Sequence, residues 1–242
     1  MKKITRLMVL VAVTAGLVFA SCQKDDNNSN GGNTNSGSTT GGDTENEEWV
    51  DLGLPSGLLW ASCNVGATVP EEYGDYYAWG ETETKSDFDW STYMHCNGAQ
   101  YLLTKYNADT NYGIADNLTT LEAIDDVATQ SLGNGARIPT KAEWEELMDY
   151  TTAEWTTVNN INGRRFTAAN GKSIFLPAAG YHSGSELIFD GSYGHYWSSS
   201  LSATPSRAWY IYFSQGYYQG MDSYSRDNGQ SVRPVRSAHS AH

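Results

Sequence analysis

Eight of the chain's 16 tyrosines fall between Tyr181 and Tyr224, in a stretch dense in Ser, Gly, Asp and Trp whose one basic residue is Arg207. A phenol ring offers a large apolar face and a hydroxyl at little rotamer cost, while Ser, Gly and Asn add adaptable hydrogen bonds. That composition suits recognition of a ligand by stacking and polar anchoring. Alternation sorts the residues further. Trp209, Ile211 and Phe213 share one side of a strand and Tyr210, Tyr212 and Ser214 the other, which predicts one core face and one presented face. Beyond it, Tyr217, Tyr218, Gln219, Asp222, Ser223, Tyr224, Ser225, Asp227 and Asn228 run between Gly216 and Gly229 without a regular apolar face, the pattern of surface strands and loops. With His195 these residues form the candidate ligand-binding set. The competing reading is that tyrosines on exposed strands serve β-propensity and solubility alone.

Bond-making chemistry finds less to work with. His182 and His195 have no Ser/His/Asp set in an interpretable context, so the chain reads as a non-enzyme that needs no cofactor. Asp125-Asp126 could suggest calcium, which takes several oxygen ligands. Adjacent acids inside a helix are better explained by a solvated face or a structural contact, and no metal site is expected. Cys63 and Cys96 lack the CxxC or Cys/His spacing of zinc sites. They form either a disulfide or two buried thiols, depending on Cα geometry. Arg233 and Arg236 read as ties between the last strand and acidic or carbonyl groups.

Two helices and several short strands must position these residues. Thr119-x-x-Glu122 and Thr140-x-x-Glu143 are capping boxes, in which side chains satisfy the unpaired amides of a helix start. Leu121, Ile124, Val127 and Ala128 share one face of the first helix, and Trp144, Leu147 and Met148 one face of the second, so both stripes are expected in the core. Strands are expected at Gly57 to Ala61, Arg165 to Ala168, Ser173 to Leu176, Tyr196 to Ser199, Ala208 to Phe213 and Ser231 to Val235. Helices early and strands late make an α+β domain.

Several phrases occur together in order: Val50 to Ala61 (VDLGLPSGLLWA), Tyr77 to Thr82 (YAWGET), Arg137 to Leu147 (RIPTKAEWEEL), Tyr196 to Ser200 (YWSSS) and Gly229 to Arg236 (GQSVRPVR). Together they resemble the Fibrobacter succinogenes major paralogous domain, a lipoprotein-borne domain of the C-type lectin-like fold. The resemblance covers Trp49 to Arg236 and implies a rigid frame with one loop-rich face for ligands. The Trp-Gly and Pro-Thr-x-x-Glu-Trp phrases look like the formylglycine-generating enzyme fold. Those relatives use late, paired cysteines, and no cysteine follows Cys96 here, which removes the relevant nucleophile. The last third looks like the variable proteins of diversity-generating retroelements. In them the diversified positions precede an invariant end such as Ser231 to Arg236. Diversification and a fixed family pattern both fit these residue types.

The chain begins with Lys2, Lys3 and Arg6, then an apolar run from Leu7 to Ala20 that is short for a membrane span. Phe19-Ala20-Ser21-Cys22 resembles a bacterial lipobox, which implies lipidation of Cys22 after removal of residues 1–21. Gln23-Lys24-Asp25-Asp26 is similar to the export signals that place lipoproteins of the Bacteroidetes on the outer face of the outer membrane. Asn27 to Glu48 has no aliphatic or aromatic residue and cannot bury enough apolar area to offset the entropy of ordering, so residues 22–48 read as a disordered tether. The expected domain spans 49–236, with a tail at 237–242 carrying His239 and His242. After residue 21 the chain holds 12 basic and 28 acidic residues, a net charge of −16. That excludes nucleic acid as a partner class. The expected function is a surface-displayed, lipid-anchored receptor or adhesin for an extracellular protein or glycan. A structural envelope component of the same fold is the first alternative, and an oxidase like the formylglycine-generating enzyme the second.

Overall fold

The computed structural model describes residues 48–216 and 219–238. Cys22, the signal and tether readings up to residue 47, Tyr217, Tyr218, His239 and His242 lie outside the described residues.

Strand β1 (Trp49–Asp51) pairs antiparallel with β2 (Leu58–Ala61), and β11 (Val235–Ser237) takes the other edge of β2. Both Val50 and Val235 therefore stand opposite Trp60, so the two ends of the domain meet over one buried indole. Helices α1 (Val127–Leu132) and α2 (Lys141–Tyr150) follow. A meander of β3 (Thr151–Val158), β4 (Ile161–Ala168) and β5 (Ser173–Pro177) comes next, then the small hairpin β6 (Tyr181–Ser183) and β7 (Glu186–Ile188). The last sheet, ordered β10-β9-β8, contains β8 (Tyr193–Leu201), β9 (Arg207–Ser214) and β10 (Gln219–Ser225), all antiparallel. The result is a strand-rich α+β fold. Among the described residues, no helix is long and apolar enough to cross a membrane.

The main core joins the elements through aromatic residues. Trp60, Trp144, Leu147, Phe166, Ile174, Tyr196, Ile211 and Phe213 pack in one cluster, with the Trp60 and Trp144 rings 4.9 Å apart. Burying each such side chain stabilises by about 1.5–3 kcal/mol. Gly194 on β8 permits this packing, because a Cβ there would lie 2.0 Å from the Phe213 ring.

The second capping box forms as expected. Thr140 accepts from the Glu143 amide, Glu143 accepts from the Thr140 amide, and Arg137 grips the Glu143 carboxylate with two nitrogens. The first does not form. Thr119 to Leu121 instead run extended along β8, where Leu121 N donates to Ser199 O and Leu201 N to Thr119 O. Helix α1 starts only at Val127, capped by Asp126, whose carboxylate accepts from Thr129 N and Ile138 N. Leu121, Val127 and Ala128 still join a core cluster, but Ile124 is 64% exposed.

The expected strand from Ser231 to Val235 is also displaced. Pro234 has no amide to donate and Arg233 turns fully inward, so regular pairing resumes only at Val235. Arg233 reaches the carbonyls of Ala61, Ser62 and Phe175 and the amide oxygen of Asn64, a structural tie as expected, while Arg236 lies over the Trp49 ring. The Cys63–Cys96 disulfide does not form. The Cys96 thiol is free and donates to the carbonyls of Trp90 and Tyr93, while Cys63 Sγ lies 3.5 Å from Ser62 Oγ.

Candidate functional site

The register of the last sheet decides which residues share a face. On β9, Ala208, Tyr210, Tyr212 and Ser214 point one way. Opposite them stand Tyr224, Asp222 and Gly220 of β10, and Trp197, His195 and Tyr193 of β8. The reverse face carries Trp209, Ile211, Phe213 and Met221 and is covered by α2, whose Lys141 ammonium sits 4.5 Å from the Trp209 ring centroid.

The first face is covered in part as well, which corrects the expectation that Tyr210 and Ser214 are presented. Tyr210 is 5% exposed because it packs with Trp79, Tyr106, Trp197, Leu201 and Ala208 in a second cluster. Ser214 is buried too. His195 is stacked between the Tyr181 and Tyr210 rings, at 4.8 and 5.1 Å, and its Nδ1 is buried with no hydrogen-bond partner. Burial alone pushes its imidazole from near 6.5 down to about 4, so it is neutral at pH 7.

The rim of the cluster is accessible. Tyr212 and Tyr224 are half-buried and Asp222 is exposed. Their rings lean on Tyr210 at 5.9 and 5.7 Å, and Tyr224 shares a 3.0 Å hydroxyl hydrogen bond with Tyr181, whose phenol burial raises to about 12. Phe189 and Tyr193 extend the rim, 54% and 37% exposed, with their rings 5.0 Å apart. Phe189 has φ +62, a left-handed conformation that is costly for an aromatic residue by about 1 kcal/mol or more. The turn into β8 is thus held so that an exposed ring sits beside Tyr181 and Tyr193.

Of the candidates read from the sequence, the structure brings together His195, Tyr210, Tyr212, Ser214, Asp222 and Tyr224. Gln219, Ser223 and Ser225 have the opposite parity on β10 and lie on the other side of the sheet. Asp227 and Asn228 are buried in the turn after β10, where Ser225 Oγ donates to the Asp227 carboxylate, so they are structural. Tyr181, Phe189 and Tyr193 were missed as members of the set. Tyr181 and Tyr193 open strands β6 and β8 and Phe189 lies in the turn after β7, so no alternation assigns any of the three a face.

A buried cation anchors the surroundings. Arg226, fully buried, donates to Tyr93 Oη and to the carbonyls of Tyr106, Pro205 and Lys105, and lies over the rings of Trp79, Tyr93 and Tyr106. It ties the turn after β10 to the long segment between β2 and α1. Asp125 serves the same segment, accepting from Lys105 and Tyr106 Oη, so the adjacent acids make structural contacts. Among the described residues no His, Cys, Asp and Glu group could hold a metal ion.

Clefts of about 570, 450 and 210 Å³ are lined by residues of other elements and share none with the aromatic face. The second holds Trp49, Cys63, Asp75 and Tyr77, the third Glu71, Arg165 and Phe175.

The Lcl C-terminal domain family matches residues 53–236. No curated protein and no solved structure matches the chain.

Proposed function

The chain belongs to the Lcl C-terminal domain family, and on that premise we propose that it is a ligand-binding domain whose aromatic rim contacts a protein or glycan outside the cell. The observation that carries this reading is the accessible row of exposed Phe189 and Tyr193 with half-buried Tyr212 and Tyr224, held against buried rings and including one residue in a costly backbone conformation. Large rings fixed at little further entropic cost are what an extended, solvent-facing recognition surface needs. The row is separate from these clefts, which favours a macromolecular ligand over a small molecule enclosed in a pocket.

The phrases from Val50 to Arg236 favour a C-type lectin-like arrangement of the kind borne by Fibrobacter-type paralogous domains. The basic and apolar start ending at Cys22 favours a lipid anchor, and Lys24-Asp25-Asp26 favours the outer surface of the outer membrane. The domain's role is then binding, without catalysis. Among the described residues the buried, neutral His195 has no carboxylate beside it to make it a general base, and no cysteine follows Cys96 in the sequence. Tyr212, Asp222 and Tyr224 are of types that retroelement diversification yields. A reverse transcriptase gene nearby, with a near-copy of the segment encoding 181–236 that differs only at adenines, would support that origin.

The test is capture on arrays of surface proteins and glycans by the full chain, with Phe189→Ala, Tyr193→Ala, Tyr212→Ala and Tyr224→Ala combined. Loss of every captured ligand with a melting temperature within a few degrees of the parent is the expected result. Retention of those ligands by the quadruple variant refutes the reading.

A further inference from the structure

We infer that the aromatic rim selects a cationic group, supplied by an arginine-bearing segment of a partner polypeptide; this rests on the reading of that rim as the ligand face. Asp222 stands directly opposite Tyr210 in the β9–β10 register and is exposed. Among the described residues its one hydrogen bond is from the Ser223 amide, and no basic side chain pairs with it.

Among the described residues no Lys or Arg lies over a ring of the rim; the nearest cation, Arg226, is fully buried over Trp79 and Tyr106 beneath it. Arg207 has the opposite parity and donates to Ser223 O, and Lys141 lies over Trp209 on the reverse side. His195, stacked between Tyr181 and Tyr210, is held neutral by burial. A second exposed carboxylate, Asp190, follows Phe189 in the same turn. From residue 48 onward the chain carries 11 basic and 23 acidic residues, so the wider field also attracts cations and repels sulfated or uronate-rich glycans.

The rings fit the same ligand. Tyr212 and Tyr224 are tilted 38° and 59° to Tyr210, so the three do not cover one another face to face. Gly220, opposite Tyr212, puts no side chain against that ring, and a Cβ there would be in ordinary van der Waals contact with it at 3.8 Å. A planar guanidinium stacks flat on an aromatic face and forks onto a carboxylate, whereas an ammonium is drawn to either as a point charge, without the stacking plane or the fork. The domain already uses this chemistry on itself, with Arg236 4.4 Å from the Trp49 ring centroid and Arg226 over three rings.

The experiment is fluorescence anisotropy of a labelled (Gly-Ser-Arg)₃ peptide against the full chain, beside its lysine and citrulline counterparts, at 50 and 300 mM NaCl. The arginine peptide should bind most tightly and weaken at higher salt. Citrulline, planar but neutral, should bind about tenfold more weakly. Asp222→Asn and Tyr212→Ser should each lower affinity about threefold to tenfold with unchanged melting temperatures. Equal binding of arginine and citrulline peptides, absence of binding, or indifference to Asp222→Asn overturns the inference. Cellohexaose provides the separating arm. If it binds and is lost with Tyr212→Ser but not Asp222→Asn, the face is a ligand site for neutral glycan and only the cation inference falls. If Tyr212→Ser and Phe189→Ala alter no captured ligand at all, the reading of the face falls with it.

Discussion

Acid should weaken this domain, and His195 contributes a separable part of that loss. The imidazole is sealed between the Tyr181 and Tyr210 rings and titrates at about 4, while the unfolded chain takes up that proton near 6.5. Between those values the unfolded state binds more protons, so the stabilising contribution is complete above pH 6.5 and is lost as pH falls toward 4. At about 1.4 kcal/mol per pH unit the full loss is roughly 3 kcal/mol, of which about 2.5 kcal/mol has gone by pH 4.5. His195→Phe keeps a ring in the stack and removes both the titration and the buried Nδ1 that lacks a partner. Urea unfolding followed by tryptophan fluorescence at pH 7.5 and 4.5 measures the difference. His95 and His182 are also lowered, chiefly by burial, and weaken both proteins alike, so the quantity to read is the gap between parent and variant. That gap should shift by about 2.5 kcal/mol in favour of His195→Phe on going to pH 4.5. A shift below about 0.5 kcal/mol would show that His195 is hydrated or partnered, and the account of a sealed, neutral ring would fail.

Arg226→Met should cost about 3–5 kcal/mol in urea unfolding, because it leaves buried carbonyls of Tyr106, Pro205 and Lys105 without a donor, whereas Arg207→Met should stay within about 0.5 kcal/mol. Thr140→Ala removes one arm of the capping box and should lower stability by about 1 kcal/mol in the same measurement. Gly194→Ala drives a methyl into the Phe213 ring and should destabilise by about 1–3 kcal/mol or prevent folding, read by melting temperature. Phe189→Gly relieves the left-handed strain and removes an exposed ring, so its melting temperature should hold or rise while array capture falls.

Local chemistry carried much of the fold into the sequence. The Thr140 capping box has both partners within three residues, and its helix forms where expected. The strands around Leu58, Phe166, Ile174 and Ile211 are short apolar runs between turn residues, readable at the same range. The Thr119-x-x-Glu122 box failed because a distant strand end, Ser199 to Leu201, offers hydrogen bonds that fix Thr119 to Leu121 as extended backbone. Nothing within a few residues of Thr119 announces that competitor. The β3–β4 hairpin was legible in principle, since Asn159 and Asn160 both take the positive φ that a tight two-residue turn requires and that asparagine tolerates. Arg233 and Arg226 have the same residue type as surface cations, and only the carbonyls gathered around them from remote segments explain their full burial.

The tyrosine face shows the same division between local and distant information. Alternation along β9 correctly separated Trp209, Ile211 and Phe213 from Tyr210, Tyr212 and Ser214, because parity is a property of the strand itself. It could not tell that the segment bearing Trp79 and Tyr106 folds over the middle of that second face. Recognition is therefore confined to the rim, where Tyr212, Asp222 and Tyr224 meet Phe189 and Tyr193. This bounds any variation the segment can carry. Tyr212, Asp222 and Tyr224 can exchange among polar and aromatic types at little cost to the core. His195, Tyr210, Asp227 and Asn228 cannot, since each is at least nine-tenths buried. A set of related chains whose differences fell on the buried four and spared the rim would contradict a binding role for this face.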